Sequence, residues 1–337
     1  MIDIALAEFR AMFDTVIDHV LDESLADDID QTLRSSLKQM YDYVVRRREF
    51  DDFAEILITA YSVLSDRKPG DRQFEPRVYA LAWAVVLTTV HFDLLGDVMD
   101  GTASRDGQPC WHTLPDVGMS ALNDSTILLS GAFNIIDIYF KDHPNYLNIV
   151  HCIQQCIEKT ALGQLMNIKS TRTSNHNVNL EDTYTYDRYK LIYKYKDGHF
   201  VINSFLLGMY ASGRIAYDHL DTIGNVLTEF NTLVVIVDDL TNLDTDDNSS
   251  TDIADGKCTW PIIKSMQLAN NSQRTVLEAN YGRGGDDPTT GAVQLVKQVY
   301  DELDICAEGK RFVKQELQIL RQHCLDISAD DYQLKQF

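Results

Sequence analysis

Aspartates that follow an apolar run are the residues of this chain most able to do chemistry. Segment 235–257, VIVDDLTNLDTDDNSSTDIADGK, opens on three apolar residues and contains seven aspartates. Carboxylates at the edge of a buried element need a cation, because burying them unpaired is costly. Asp238, Asn242 and Asp246 share one face if a helix runs through them. Such oxygen ligands suit Mg²⁺ completed by substrate phosphate oxygens, although a solvated acidic loop over 244–255 is the alternative.

A second set of carboxylates follows the apolar segment 81–95, LAWAVVLTTVHFDLL. Asp93, Asp97 and Asp100 are spaced i, i+4 and i+7, which places them along one helical face over two turns. Taken alone, this pattern is also typical of a solvated helix end. Two acidic helix ends that face each other, however, would form a metal site able to receive an anionic substrate.

Long helices must position both sets of carboxylates. Apolar residues recur at helical spacing in segments such as 4–20 and 53–64, and convincing strand alternation is absent. Polar or Gly- and Pro-containing breaks separate these segments, for example at 101–115. Because no linker divides the chain, we expect one all-α domain over residues 1–337, a single large helical bundle.

The overall charge excludes several classes of partner. The chain has 30 basic and 51 acidic residues, a formal net charge of -21, which argues against nucleic acid and anionic membranes as partners. The six cysteines include no CxxC pair, which favours free thiols in a reducing compartment. Segment 1–20 is amphipathic and acidic, unlike a targeting peptide, and we expect no apolar run long enough to span a bilayer. These features predict a cytoplasmic protein.

Five segments carry a family resemblance. They are DVMD at 97–100, SRDGQPCWH at 104–112, TALGQLMN at 160–167, DDLTN at 238–242 and DIADGKCTWPI at 252–262. With these segments the chain resembles the farnesyl diphosphate synthases from end to end. The resemblance implies the all-α isoprenoid synthase fold and a homodimer. It also implies three Mg²⁺ ions, for which Mn²⁺ can substitute, held by two aspartate-rich motifs against an allylic prenyl diphosphate substrate.

The resemblance also implies roles for individual residues. The metal ligands would be Asp97, Asp100, Asp238, Asn242 and Asp246. The residues that contact the substrate diphosphate would be Arg105, Gln164, Lys196 and Lys257. Two residues, His91 and Phe92, occupy positions that set the cavity depth in the family, although simple core packing explains them equally well. The residues expected to carry catalysis, by metal-assisted ionisation and charge neutralisation, are Asp100, Asp238, Lys196 and Lys257.

Several positions depart from the family pattern. The first aspartate of the first motif is Gly96, for which Asp93 would have to compensate. In the family's pocket for isopentenyl diphosphate, acidic Glu49, Asp52 and Asp106 stand where basic residues are expected. Reversing a charge about 5 Å from a phosphate changes their interaction by roughly 6 kcal/mol at an effective dielectric near 20. Three such changes indicate that the pocket is lost.

A protein that ionises an allylic diphosphate without a second substrate must cyclise the cation or release a proton, which is terpene synthase chemistry. We therefore predict a metal-dependent class I terpene synthase, a carbon–oxygen lyase that looks like the insect terpene synthases and makes a sesquiterpene from farnesyl diphosphate. Geranyl and geranylgeranyl diphosphate remain open as substrates. The alternatives are a chain-elongating prenyl diphosphate synthase and a catalytically silent partner subunit.

Overall fold

The structure, a computed structural model, describes residues 2–25, 31–46, 51–70, 74–105, 107–171, 180–214, 219–244, 252–283 and 291–330. The chain forms two compact units. Unit 1 contains Met1–Ile157 and Phe200–Leu220, and unit 2 contains Glu158–His199 and Asp221–Lys335. The boundary residues Ile157 and Phe200 fall inside helices rather than in loops. The expectation of one domain over residues 1–337 stays a prediction.

Helices make up nearly all of the described residues, which confirms the all-α prediction. In the first part of the chain they are α1 Ile2–Ala11, α2 Phe13–Ser24, α3 Gln31–Tyr41, α4 Asp51–Ser65, α5 Arg77–Asp100, α6 Ala121–Phe140 and α7 Tyr146–Ser170. They continue with α8 Leu180–Thr183, α9 Tyr186–Lys196, α10 Gly198–Ser212, α11 Leu220–Asp244, α12 Asp252–Asp255, α13 Trp260–Leu268, α14 Asn271–Asn280, α15 Ala292–Glu302 and α16 Ile305–Asp330.

Helix α5 is the centre of unit 1. Its side chains are buried on almost every face until the last turns, as its uniformly apolar sequence predicts. Helix α6 packs closely against it because Gly131 has no side chain: a Cβ there would lie 3.3 Å from Leu87 and 2.7 Å from the Tyr41 hydroxyl. This packing fixes the direction in which α5 delivers its acidic end.

A glycine and a short hairpin end α5. Gly101 adopts a left-handed conformation, with φ 63°, and its N–H bonds the carbonyl of Asp97. Strands β1 Ser104–Arg105 and β2 Gln108–Pro109 follow as an antiparallel pair. This hairpin, which the sequence did not predict, turns Arg105 back towards the last turns of α5.

Unit 2 has its own core. Buried tyrosines and apolar residues of α9, α11, α13, α14 and α15 form it, including Tyr189, Ile236, Trp260, Tyr281 and Val296. Helix α11 therefore packs in this core close to the aspartates at its C-terminal end.

Within the described parts of the chain, two helices are long and apolar enough to cross a bilayer by length and composition alone, Arg77–Asp100 and Leu220–Leu243. The expectation that no segment meets this criterion was therefore wrong. The apolar window of Arg77–Asp100 is 78% buried, as in the core helix of a compact unit, whereas that of Leu220–Leu243 is 28% buried. That neither helix spans a membrane stays a prediction.

The pH dependence of stability should follow His199, which packs against the ring of Tyr195. Burial, with the nearby cations Lys159 and Lys194, lowers the pKa of His199 to about 4. An unfolded histidine titrates near about 6.5, so the folded chain binds fewer protons between these values. The neutral ring thus contributes stability that is complete above about pH 6.5 and is lost as the pH falls towards the folded value.

We expect the free energy of unfolding to fall less in His199→Gln than in the wild type between about pH 7 and pH 5, by on the order of 1–2 kcal/mol. Denaturant titrations at several pH values measure this difference. His151→Gln, at an exposed position of α7, is the control and should keep the wild-type slope. Equal slopes for His199→Gln and the wild type would contradict the assignment.

Candidate functional site

The predicted site residues fall into two groups, one in each unit. In unit 1, the buried Asp97 and the half-exposed Arg105 form a salt bridge. Arg105 donates from Nε and Nη2 to Asp97 Oδ1, over 3.0 and 2.6 Å. Partial burial opposes the charge on Arg105, but the carboxylates of Asp93 and Asp97 outweigh it and raise the pKa of the guanidinium. Arg105 therefore stays charged at the end of α5.

The three aspartates of α5 thus differ in environment. Asp97 is fully buried and faces Arg105, whereas Asp100 is partly exposed at the last residue of the helix. Asp93, considered as a replacement for the carboxylate missing at Gly96, lies close enough to Arg105 to raise its pKa. Asp93 and Asp100 are both partly exposed, and of these two only Asp100 belongs to the predicted metal ligands. The ligand role of Asp97 stays a prediction.

Gly96 itself is not required by packing. A Cβ built at this position meets no atom within 4 Å. The missing aspartate is therefore a chemical change in the first motif and not the result of crowding.

His91 and Phe92 lie one to two turns before the acidic end of α5. His91 Nδ1 is 2.9 Å from the Ser125 carbonyl, and burial lowers its pKa, so the ring is a neutral donor to α6. Phe92 packs edge-on against the rings of His91 and Phe200, with centroids 4.9 and 6.1 Å away. Phe92 is thus part of an aromatic cluster in unit 1, and a role of either residue in setting cavity depth stays a prediction.

In unit 2, α11 presents its aspartates on opposite sides. Asp238 is exposed, and the amide nitrogen of Asn242 lies 3.5 Å from its Oδ2 atom. These two predicted ligands therefore share one face, as their spacing indicates. Asp246 lies outside the described residues.

Asp239 points into the core. Its Oδ2 atom accepts hydrogen bonds from the Tyr189 hydroxyl, at 3.0 Å, and from the Trp260 backbone N–H, at 2.8 Å. Burial raises the pKa of Asp239, while these two donors act in the opposite direction. Sequence analysis did not assign Asp239 a role. Its spacing gave a partial signal, because neighbouring residues on a helix point about 100° apart, so Asp239 lies on a different side from Asp238.

Lys257 is the most buried cation of the candidate site. Its side chain is 12% exposed, and Nζ lies 3.2 Å from Asp252 Oδ1 and 3.9 Å from Asp255 Oδ2. The ammonium is thus oriented by carboxylates of α12. An anion that binds Lys257 would therefore meet an ammonium group that these carboxylates already hold in place.

Gln164 and Lys196 are brought together by a close helix crossing. A Cβ on Gly163 of α7 would lie 2.2 Å from the backbone N and 2.5 Å from the Cα of Lys196, at the end of α9. The two main chains are therefore in direct contact. The neighbouring Gln164 and Lys196 are both partly exposed beside this crossing. Lys196 Nζ also lies 5.7 Å from the centre of the Tyr193 ring.

The donor set fits Mg²⁺ bound together with a substrate. Across the described parts of the chain, no three His, Cys, Asp or Glu side chains come together as a metal cluster. Mg²⁺ in phosphate-handling sites usually takes one or two carboxylates and completes its shell with water and phosphate oxygens. Asp238 with Asn242, and separately Asp100, match that pattern.

Several known proteins are similar to this chain. The family model described as "Polyprenyl synthetase" matches residues 35–303. Farnesyl pyrophosphate synthase 1 of Cannabis sativa is 29% identical, over 90% of this chain and 88% of that protein. The farnesyl pyrophosphate synthase of Mus musculus is 30% identical, over 74% of this chain and 70% of that protein.

The structural comparison confirms the isoprenoid synthase fold. The T. brucei farnesyl diphosphate synthase superposes with a TM-score of 0.85 at 20% sequence identity, covering 98% of this chain and 96% of that chain. At this identity the likeness speaks for the fold alone.

The prediction of a terpene synthase, and with it of a lyase that makes a sesquiterpene, was wrong. The relatives are farnesyl pyrophosphate synthases, which are prenyltransferases. The prediction depended on three acidic replacements in the second-substrate pocket, of which Glu49 and Asp106 lie outside the described residues. The third, Asp52, is exposed on α4, where water weakens its effect on a phosphate. None of the relatives named above is a terpene synthase, so the likeness to the insect enzymes stays a prediction.

Gly163→Ala should disrupt the candidate site more than its small size suggests. The added methyl group cannot fit at 2.2 Å from the Lys196 nitrogen, so α7 and α9 must separate and Lys196 must shift. We expect the midpoint of thermal unfolding to fall by several degrees, from a loss of about 2–3 kcal/mol, and turnover of prenyl diphosphate to fall at least about tenfold.

The matched control is Gly224→Ala on α11, in the same unit. A Cβ there meets nothing within 4 Å, and alanine is the better helix former, so stability should be unchanged or slightly higher. Similar behaviour of the two variants would refute the close-contact explanation.

Proposed function

Because the chain belongs to the polyprenyl synthetase family, we propose that it is a chain-elongating prenyl diphosphate synthase. It would join isopentenyl diphosphate to an allylic prenyl diphosphate and release inorganic diphosphate. The observation that carries the proposal is the match to farnesyl pyrophosphate synthases over 90% of the chain. The partly buried cations Lys257 and Arg105, found beside the acidic helix ends, support it because they supply positive charge to an otherwise anionic molecule.

The reaction divides into ionisation and coupling. The bond between C1 and the diphosphate oxygen of the allylic substrate breaks, and the electron pair leaves with the diphosphate. The double bond of isopentenyl diphosphate then attacks C1, and a proton is lost from the adjacent carbon of that substrate. The product is a prenyl diphosphate one isoprene unit longer, and it retains the diphosphate of the second substrate.

The residues of the chain would act mainly on the leaving diphosphate. Lys196, Lys257 and Arg105 neutralise the charge that develops on it, and Gln164 donates hydrogen bonds. Asp238 with Asn242 in unit 2, and Asp100 in unit 1, would hold Mg²⁺. The metal supplies Lewis acidity at the departing phosphate oxygens when bound.

The product would be a farnesyl or similar chain, by analogy with the named relatives. Phe92 packs in the aromatic cluster of unit 1 and is the residue we propose as part of the floor of the chain pocket. Manganese in place of magnesium, a homodimer and a cytoplasmic location are further proposals, supported by the family resemblance and the composition of the chain.

A product assay tests the reaction class. Purified protein is incubated with Mg²⁺, isopentenyl diphosphate and dimethylallyl, geranyl or farnesyl diphosphate, and prenyl diphosphates are measured by liquid chromatography and mass spectrometry. We expect longer prenyl diphosphates. Terpene hydrocarbon in the headspace without any longer diphosphate would contradict the proposal. No consumption of substrate would support a silent partner subunit.

Asp238→Ala should lower kcat by at least about a thousandfold, because it removes an exposed carboxylate from the face of α11 that Asp238 shares with Asn242 and that we propose to bind the metal. The control is Asp221→Ala, an exposed aspartate in the first turn of the same helix. Activity should be retained there, and the circular dichroism spectra of both variants should match the wild type. Retained turnover in Asp238→Ala would exclude Asp238 as a metal ligand.

A further inference from the structure

The segment that carries Lys257 is held by two buried tyrosines. The Tyr184 hydroxyl donates to the Gly256 carbonyl over 2.5 Å, and the Tyr281 hydroxyl donates to the Lys257 carbonyl over 2.5 Å. Tyr184 is 3% exposed and Tyr281 is fully buried. We call this pair, with the two carbonyls, the tyrosine clamp. It fixes the main chain on both sides of the Lys257 Cα atom.

The same segment is held at two further points. The Lys257 N–H donates to the Asp252 carbonyl over 2.9 Å, and the Trp260 N–H donates to the buried Asp239 carboxylate over 2.8 Å. Asp239 in turn accepts the Tyr189 hydroxyl. The segment between α12 and α13 is therefore tied to α11 and to the residues that directly follow α8 and α14.

Packing alone does not account for the two hydroxyl groups. Phenylalanine would fill the same volume, and a buried hydroxyl costs free energy unless it is hydrogen bonded. Gly256 is left-handed, with φ 70°, which turns the chain so that consecutive carbonyls meet two different tyrosines. The rings themselves meet edge-on, with centroids 5.8 Å apart. The Tyr184 hydroxyl thus holds the main chain at Gly256 and the Tyr281 hydroxyl holds it at Lys257, while the Tyr281 hydroxyl also lies 3.4 Å from the Thr259 hydroxyl.

We propose that Tyr184 and Tyr281 are positioning residues that orient Lys257 to receive the diphosphate of the allylic substrate. This inference rests on the proposed function, because it takes the diphosphate as the anion that Lys257 binds. The clamp sets the position of the Lys257 backbone, and Asp252 and Asp255 set the direction of its ammonium group. Lys257 is then aligned before the substrate arrives, so less order must be gained on binding.

The test compares wild type with Tyr184→Phe, Tyr281→Phe and the double variant. Calorimetric titration with inorganic pyrophosphate in the presence of Mg²⁺ measures anion binding without turnover. We expect the double variant to bind about tenfold more weakly, since two hydrogen bonds to the segment are lost. In steady-state assays the KM for the allylic diphosphate should rise while the KM for isopentenyl diphosphate stays unchanged.

The control variant is Tyr61→Phe, in the core of unit 1. Tyr61 is also buried, and its hydroxyl is hydrogen bonded too, as the acceptor of a bond from Arg67 at 3.2 Å. It should lose stability without any change in pyrophosphate affinity or in either KM.

The same tyrosine substitutions, made in a protein that already carries Lys257→Ala, show whether the tyrosines act through Lys257. In Lys257→Ala, adding both tyrosine substitutions should produce no further loss of pyrophosphate affinity. An equal further loss would overturn the proposal, as would a double variant that binds like the wild type, or a wild type that binds no pyrophosphate. If the wild type binds pyrophosphate but elongates no prenyl chain, the proposed function fails and the titrations still decide the clamp.

Discussion

Burying a carboxylate is the constraint on which both halves of the candidate site depend. Asp97 and Asp239 lie in the interior at the ends of long apolar helices, where an ionised group must be compensated by charge or by hydrogen bonds. Arg105 compensates the first, and Tyr189 and the Trp260 N–H compensate the second. The partners come from a hairpin and from other helices. The salt bridge to Asp97 and the hydrogen bonds to Asp239 therefore hold the segments that supply these partners in place.

Each buried aspartate lies close to an exposed site residue, and this pairing separates two tasks. Asp239 anchors α11 to the start of α13, whereas Asp238 is exposed to solvent on the same helix. Asp97 forms a salt bridge with Arg105, and the more exposed Asp100 lies three residues after Asp97. The buried carboxylates hold the neighbouring segments in place, and the exposed carboxylates are the ones proposed for metal and substrate binding. In a chain of net charge -21, fixing the few cations in place also concentrates positive potential where an anionic substrate must bind.

The helices and both acidic helix ends could be predicted from the sequence because apolar spacing and carboxylate spacing are local properties. Asp238 and Asn242 do share a face, as their spacing requires. The different environments of Asp97 and Asp100 could not be predicted, because they depend on a hairpin that returns Arg105 to α5. The contact of Gly163 with Lys196 is likewise a tertiary feature, since nothing near Gly163 in sequence marks the second helix.

The error in function came from a different source. Glu49, Asp52 and Asp106 were treated as three independent losses of binding energy at full strength, whereas an exposed charge such as Asp52 acts through water and is strongly screened. The reaction class is a property of the whole chain, and the similarity of nearly all of it to prenyltransferases carries more weight than three side chains. A weak second-substrate pocket and an elongating enzyme are compatible.

Gly96 has a consequence for how this protein can change. Its surroundings offer room for a side chain, and glycine inside a helix carries a cost of roughly 1 kcal/mol relative to alanine. A carboxylate at this position is therefore one substitution away, with no neighbour that must be remodelled first. Position 96 can therefore gain or lose a charged side chain by point mutation, while the packed helices beneath it stay as they are.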